Sequence, residues 1–261
     1  MIPIDRLQAY LRHIAHRQYD TVSVPPFTLF FHPTDTLVYF NYAIPDEPTP
    51  SAPGNDLRQP LSTLRATFAA RGRQPRFEFI QEFAPNLAPV LRAAGFAEQA
   101  RQQLMICTPG TYCTVPAIAG LTITPLTGNS PLADAQDFLT TQRQGFDPAD
   151  PTVATEQQAE QWLRELQTNT PLLARLDGRP VGAGMFTQPF DTITEIVGIA
   201  TLRPFRRRGV GTAITARAVQ VAFIQGATIA CLTAADERAG RLYQRVGFLP
   251  YATMLSYHPC E

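Results

Sequence analysis

The stretch of sequence that decides the fold is TEIVGIATLRPFRRRGVGT, residues 194–212. Its apolar part, residues 196–201, is typical of a buried strand, and the long apolar-patterned segment that follows residue 212 is typical of a helix. Between them lie consecutive arginines and two glycines, Gly209 and Gly211. The pattern therefore predicts a strand that leads into a helix through a glycine-containing turn.

A turn of this kind is suited to binding an anion. The first backbone N–H groups of a helix have no partner within the helix, and the helix dipole adds positive charge at the same point. Glycine lacks a Cβ, so a pyrophosphate can approach the main chain closely. The predicted pyrophosphate ligands are the side chains of Arg206, Arg207 and Arg208 and the N–H groups of Gly209, Val210, Gly211 and Thr212. The alternative is a solvated basic helix start that binds nothing.

The composition argues against several kinds of partner. The chain has 261 residues and a formal net charge of zero, so no overall field favours nucleic acid or an anionic membrane. All 22 basic residues are arginine, which we interpret as the mark of a GC-rich genome. The four cysteines lack metal-ligand spacing, so we expect free thiols and no metal. The first residues are patterned as an amphipathic helix and no apolar run could cross a bilayer, so the expected location is the cytoplasm.

Helices and strands alternate along the chain, which predicts an α/β fold with layered helices. In the first half we predict helices at 4–17, 56–71 and 85–94, strands at 27–31, 36–44, 76–83 and 104–107, and a proline-rich loop at 45–55. In the second half we predict strands at 121–125, 171–176, 180–188, 193–201, 228–233 and 251–257, and helices at 131–144, 156–168, 209–225 and 237–246. The prolines in residues 108–120 indicate a connection between two domains, 1–115 and 116–261.

The two halves also share an internal repeat. Residues 76–96 and 229–248 each read as a strand, a short helix and a Gly-Phe pair, and each is preceded by a helix and an apolar strand. In the first copy the proline-rich loop replaces the glycine turn, and Leu91 stands at the position of Tyr243. We therefore expect the first copy to be a scaffold without an anion site.

Two motifs make the second half resemble the GNAT superfamily of acyl-CoA-dependent N-acyltransferases. RRRGVG, residues 206–211, matches the family pattern Arg/Gln-x-x-Gly-x-Gly/Ala, and LYQRVGF, residues 242–248, matches Leu-Tyr-x-x-x-Gly-Phe. The resemblance covers residues 121–257 and implies the GNAT fold, with a mixed sheet. The first half resembles a degenerate second copy, as in tandem GNAT proteins.

The resemblance implies roles for further residues. The strand end formed by Ile199, Ala200 and Thr201 would separate from its neighbour and pair with the pantetheine amide, and one of its N–H groups would polarise the thioester carbonyl. Tyr243 would protonate the leaving thiolate, and Glu195 would accept the amine proton. The alternatives are an ordinary buried strand for residues 199–201, a core tyrosine for Tyr243 and a solvent-facing strand carboxylate for Glu195.

Three acidic residues need separate interpretation. Asp236 stands where the family often has an asparagine that contacts the cofactor arm, and an ionised carboxylate can accept but not donate a hydrogen bond. Substrate specificity would come from the loop at 145–151. Its carboxylates, Asp147 and Asp150, could attract a cationic amine, but we interpret them as turn-forming residues.

The function that the resemblance implies is an acetyl-CoA-dependent N-acetyltransferase that needs no metal. Its acceptor would be a primary amine of a small or amino-acid-like molecule, which attacks directly in a ternary complex. A non-catalytic acyl-CoA-binding sensor or partner protein would carry the same anchor motif, but it would have no use for Tyr243 or Glu195. GNAT-like proteins often pair, so a homodimer is left open.

Overall fold

The computed structural model of the chain describes residues 2–48 and 57–260. The chain forms two compact units: unit 1 comprises Met1–Leu104 and Tyr251–Glu261, and unit 2 comprises Met105–Pro250. These bounds differ from those of the predicted domains, because residues 105–115 lie in unit 2 and the last strand lies mostly in unit 1.

Within the described residues the chain contains seven α-helices and eleven strands in mixed order. The helices are α1 (Ile4–Gln18), α2 (Arg58–Ala69), α3 (Leu87–Ala93), α4 (Leu132–Phe146), α5 (Glu156–Glu165), α6 (Val210–Ile224) and α7 (Glu237–Gln244). The strands are β1 (Asp20–Val24), β2 (Phe27–Phe31), β3 (Asn41–Pro45), β4 (Phe77–Ile80), β5 (Phe96–Cys107), β6 (Leu121–Pro125), β7 (Asn169–Leu176), β8 (Arg179–Thr187), β9 (Ile193–Thr201), β10 (Ile229–Ala234) and β11 (Leu249–Pro259). The mixed α/β class predicted from the sequence is confirmed.

The strands of unit 1 lie in the order β1-β2-β3-β4-β11-β5. β3 and β4 are parallel, whereas β11 is antiparallel to β4, with Tyr257 opposite Phe77. This pairing explains why the last strand belongs mostly to unit 1. The core of the unit contains the buried rings of Phe27, Phe77 and Phe96, which meet edge to face at 5.1 and 5.3 Å between ring centroids.

In unit 2 the strands lie in the order β10-β9-β8-β7-β6. β6 to β9 are antiparallel neighbours, and β10 is parallel to β9. α6 packs closely on β8, because a Cβ added at Gly182 or Gly184 would lie within 2.9 Å of Ile214 side-chain atoms. Phe138 of α4 packs against Ala183, which points to the other face of β8. Helices therefore cover both faces of this sheet.

The predicted repeat agrees with the observed order of elements. Unit 1 runs β3-α2-β4-α3-β5 and the second half runs β9-α6-β10-α7-β11, and the first two strands of each series are parallel. Each short helix is followed by a glycine in the left-handed region, Gly95 at φ 79° and Gly247 at φ 99°. The next residue in each copy, Phe96 or Phe248, is buried.

Two strands differ most from their predicted bounds: β5 begins at Phe96, eight residues before its predicted start, and β3 begins later than predicted. The predicted strand at 36–44 is wrong over its first half, because residues Val38–Phe40 form a 3₁₀ turn and β3 begins at Asn41. The buried Asn41 amide donates to the carbonyls of Asp35 and Leu37, and the Asp35 carboxylate accepts from the Leu37 N–H. These local side-chain bonds give the backbone an alternative to strand pairing. β1 is a further strand that the sequence analysis does not predict.

The predicted inter-domain connection, residues 108–120, is an integral part of unit 2. The Cys113 N–H donates to the Val246 carbonyl at 3.0 Å, and the Tyr112 hydroxyl donates to the Ala216 carbonyl at 3.3 Å. The segment is therefore fixed against α6 and the end of α7. Most of the predicted proline-rich loop, residues 49–56, lies outside the described residues. Among the residues that are described, no helix combines the length and the apolar character needed to cross a membrane.

Candidate functional site

A turn that contains Gly209 connects β9 to α6, as the sequence predicts. It begins with the 3₁₀ turn Arg203–Phe205 and ends at Gly209, the N-cap of α6. Gly209 has φ 82°, and the nearest atom to an added Cβ would be 3.4 Å away. The left-handed conformation, not crowding, therefore favours glycine at this position. Arg207 is also left-handed, at φ 64°, which costs a residue with a Cβ about 1–2 kcal/mol.

The side chain of Arg206 holds this turn in place. Its Nε donates to the Thr201 carbonyl at 3.0 Å, and its Nη2 donates to the Gly145 carbonyl at 2.7 Å. Arg206 therefore ties the turn to the end of β9 and to α4. Two of its donors thus face backbone carbonyls, a contact that the sequence does not predict.

A cavity of about 450 Å³ lies between this turn and α7. Seven of the predicted cofactor-binding residues line it: Thr201, Arg206, Arg207, Gly209, Val210, Gly211 and Thr212. Phe205, Arg238, Arg241, Leu242 and Arg245 complete the lining. No carboxylate is among these lining residues, so within the described chain the walls carry positive charge only.

Four predicted cofactor-binding residues do not line the cavity: Ile199, Ala200, Arg208 and Asp236. Arg208 places its guanidinium over the ring of Phe205, 5.6 Å from the centroid, and does not line the cavity. Asp236 is the N-cap of α7, and its Oδ1 accepts from the Ala239 N–H at 2.7 Å. Both side chains therefore have structural partners, and their contact with a cofactor stays a prediction.

Two arginines of α7 and a third at its C-cap, Arg245, are lining residues that are not predicted from the sequence. Arg238, Arg241 and Arg245 follow one another at spacings of three and four, which places them on one face of a helix. That spacing is visible in the sequence. It becomes informative only once the helix is known to face the turn between β9 and α6.

β9 and β10 separate as the resemblance predicts. Their parallel pairing covers only Ile193 to Glu195 of β9, opposite Ile229 to Cys231 of β10, although both strands continue beyond these residues. The pairing of β9 with β8 also shifts at Gly198, which has φ 66° and whose carbonyl accepts from Gln142. A bulge bends the strand that contains it, so this bulge accounts for the divergence.

The strand end of β9 presents its residues to opposite sides of the sheet. A Cβ added at Gly211 of α6 would lie 3.6 Å from Thr201 Oγ1 and 3.8 Å from Ile199 Cγ2. Ala200 points to α4, where a Cβ at Gly145 would lie 2.7 Å from its own Cβ. Ile199 and Thr201 therefore share the side of α6, next to the cavity.

Tyr243 lies on α7 beside the cavity-lining Leu242. Its ring meets Phe248 edge to face at 6.1 Å between centroids, and it is partly buried. Burial raises the pKa of Tyr243, and the nearby Asp236 carboxylate raises it further. The phenol therefore stays protonated at neutral pH.

Glu195 is the last residue of β9 that pairs with β10. Its partner is Cys231, and its backbone N–H donates to the hydroxyl of Thr187 at 2.9 Å. Burial raises the pKa of the Cys231 thiol, and the charge of Glu195 contributes to the same shift, so the carboxylate lies near that thiol. Glu195 is thus half-buried at the base of the separation between the two strands.

The carboxylates of the loop after α4 form turns, as we interpret them from the sequence. Asp147 Oδ1 accepts from the Ala149 N–H at 3.0 Å, and Asp150 Oδ1 accepts from the Thr152 N–H at 2.8 Å. Among the described residues, no group of three or more histidine, cysteine or acidic side chains could hold a metal ion.

Comparison with known proteins decides the family. Residues 135–248, which include the turn, the separated strands and α7, match the model of the acetyltransferase (GNAT) family. These residues therefore form a domain of the GNAT family. Members of this family are acyltransferases, and the matched residues lie entirely within unit 2. No functionally curated protein matches the sequence.

Solved structures resemble the chain over most of its length. A GCN5-related N-acetyltransferase from Kribbella flavida is 27% identical, with a TM-score of 0.81 over 99% of this chain and 96% of that one. A GCN5-related N-acetyltransferase from Sphaerobacter thermophilus is 16% identical, with a TM-score of 0.62 over 90% and 78%. A tandem GNAT protein from the clavulanic acid biosynthesis pathway is 13% identical, with a TM-score of 0.61 over 88% and 77%. The last two show likeness of fold alone.

Proposed function

We propose that the protein is an acetyl-CoA-dependent N-acetyltransferase whose acceptor is a primary amine of a small or amino-acid-like molecule. One observation supports this most strongly: the arginine-lined cavity at the start of α6 includes the end of β9, where β9 has left β10. A helix N-terminus and a strand with free backbone groups thus meet in one place. That combination suits a ligand with a pyrophosphate at one end and amides along its arm.

The residues of the cavity fit coenzyme A. The N–H groups of Val210, Gly211 and Thr212 in the first turn of α6 are free of intrahelical partners, and Arg207 lies beside them. Charge-assisted hydrogen bonds from arginine to phosphate are among the strong ones. When bound, acetyl-CoA supplies an acyl thioester that an amine can attack.

The separated part of β9 provides the donors for the rest of the ligand. A strand presents alternate N–H groups to its two neighbours, so beyond Glu195 those directed towards β10 lose their strand partner. In our proposal Ile199 and Thr201 pair with the pantetheine amide. One N–H of the segment from Ile199 to Thr201 stabilises the negative charge that develops on the thioester oxygen.

Glu195 is the proposed proton acceptor. It lies at the base of the separation, on the strand that would hold the thioester, and it is half-buried. As the amine nitrogen forms its bond to the acyl carbon, the nitrogen must lose a proton. Glu195 takes this proton, directly or through a water molecule.

Tyr243 is the proposed proton donor to the thiolate that leaves. Ordinary pKa values are about 10 for a phenol and about 8.5 for a thiol. The raised pKa of Tyr243 keeps its proton in place at neutral pH but widens this gap. Transfer therefore requires the hydroxyl to lie within hydrogen-bond distance of the sulfur as the C–S bond breaks.

The experiment is a thiol-release assay with acetyl-CoA and a panel of small primary amines, including amino acids. We expect turnover with the wild type and a fall of about 100-fold or more in kcat/KM for Glu195→Gln. Glu165→Gln, an exposed glutamate on α5, is the matched control and should behave as wild type. Binding of acetyl-CoA without thiol release from any amine would favour the non-catalytic sensor instead.

A further inference from the structure

The cavity has a second positively charged wall, which is formed by α7. Arg238, Arg241 and Arg245 all line the cavity, and at about 100° per residue they fall within an arc of about 60° on the helix. All three side chains are exposed. They are thus available to a ligand that occupies the cavity.

The carboxylates of α7 do not neutralise this wall. Asp236 caps the helix, and Glu237 lies 3.5 Å from Arg241 Nη1, but neither carboxylate lines the cavity. Within the described residues, Arg238 and Arg245 have no ion pair. Two arginines on this wall therefore face the cavity with their charge uncompensated.

The charge on this wall exceeds what a pyrophosphate requires. A pyrophosphate diester carries two negative charges, and the turn already provides Arg206, Arg207 and the positive end of the α6 dipole. Like charges gathered in one cavity repel each other unless an anion lies between them. The α7 wall is therefore suited to a further anionic group on the same ligand.

We propose that Arg238, Arg241 and Arg245 bind the 3′-phosphate of the coenzyme A ribose and so select coenzyme A over nucleotides that lack it. This inference rests on the proposed function, because it names a second anchor for the same ligand. A phosphomonoester carries about 1.5–2 negative charges at neutral pH and offers three acceptor oxygens. It lies on the nucleotide that also carries the pyrophosphate, so one cavity takes both groups.

The test compares coenzyme A with dephospho-coenzyme A by calorimetric titration of the full chain. The variant is the double substitution Arg238→Gln and Arg245→Gln. Arg164→Gln on α5 is the control, since Arg164 is an exposed helical arginine whose ion pair with Glu160 resembles that of Arg241 with Glu237. Circular dichroism and thermal unfolding without ligand establish that each variant is folded.

We expect the wild type to bind coenzyme A about 10- to 100-fold more tightly than dephospho-coenzyme A. The double variant should lose affinity for coenzyme A by a similar factor and leave the affinity for dephospho-coenzyme A unchanged. Equal affinities in the wild type, or an equal loss for both nucleotides in the variant, would overturn the inference and leave the proposed function standing. If neither nucleotide binds to the folded wild type, the proposed function fails as well.

Discussion

The two copies of the repeat contain the same succession of strands and helices, but their arginine side chains make different contacts. In unit 1, Arg65 of α2 donates to the Ala94 carbonyl at 2.8 Å and lies over the ring of Phe96, 4.3 Å from its centroid. Arg92 at the end of α3 donates to the hydroxyl of Tyr257. In unit 2, Arg206 also donates to backbone carbonyls, but four further arginines of the turn and the short helix line a cavity: Arg207, Arg238, Arg241 and Arg245.

The short helices differ in the same way. Leu91 of α3 is fully buried, whereas Tyr243 of α7 is only partly buried and lies beside a lining residue of the cavity. The same succession of elements thus carries a buried leucine in one copy and a tyrosine beside an arginine-lined cavity in the other. This agrees with the general rule that function depends on the site that a fold carries and not on the fold itself.

The largest effect should come from the glycine that ends each short helix. A Cβ at Gly247 would lie 1.9 Å from the Thr111 carbonyl oxygen, whereas at Gly95 the nearest atom would be 3.8 Å away. Both glycines have positive φ, which costs alanine about 1–2 kcal/mol. We expect Gly95→Ala to lower the free energy of unfolding by about this amount and Gly247→Ala by roughly 2–5 kcal/mol, because overpacking adds to strain.

Urea unfolding followed by circular dichroism measures both losses. The pair forms its own control, because each substitution adds one methyl group to a left-handed glycine that precedes a buried phenylalanine. Equal losses would mean that residues 108–112 yield to the new methyl group. The two copies of the repeat would then tolerate a methyl group at this glycine equally well.

A smaller effect is expected when Tyr243 is replaced by leucine, the residue at the matching position of unit 1, Leu91. Tyr243→Leu should fold, since leucine occupies the matching position 91, and it should bind acetyl-CoA as the wild type does. Without a phenol to protonate the thiolate, we expect the rate of acyl transfer to fall about 100-fold. Thiol release under saturating acetyl-CoA measures this change. An unchanged rate would show that Tyr243 is a core residue like its counterpart.

The smallest effect that we expect is a shift in the pH dependence of acyl transfer when the charge of Asp236 is removed. The negative charge of Asp236 disfavours the phenolate and so helps to raise the pKa of Tyr243, after the effect of burial. Asp236→Asn keeps the helix cap and removes the charge, so the pKa of Tyr243 should fall. The loss of acyl transfer at high pH should therefore begin at a lower pH in the variant. A high-pH limb that stays in place or moves upward would contradict this role for Asp236.

The sequence predicts the strand–turn–helix of unit 2 because its signals are local. β9 has its predicted bounds, and α6 begins one residue after its predicted start because Gly209 is the N-cap. The strand separation is predicted from the family resemblance alone, since no composition or spacing indicates where two parallel strands stop pairing. The bulge at Gly198 shows its cause only in three dimensions.

Sequence pattern is least informative where contacts between residues distant in the chain decide the structure. β11 joins unit 1 because it pairs with β4, far away in sequence. Arg206 turns to the carbonyls of Thr201 and Gly145, which only the folded chain brings near it. The arginines of α7 were visible as a helical spacing, but the wall that they form depends on where α7 lies relative to α6.

The most direct test of the account is calorimetric titration of acetyl-CoA into the wild type, Gly209→Glu and Gly226→Glu. Both glycines have positive φ and flank α6, Gly209 at its start and Gly226 just beyond its end, where an added Cβ meets nothing within 4 Å. We predict one acetyl-CoA per chain for the wild type and for Gly226→Glu, and no binding to Gly209→Glu. Two sites per chain, binding that survives in Gly209→Glu, or no binding to the folded wild type would contradict the account.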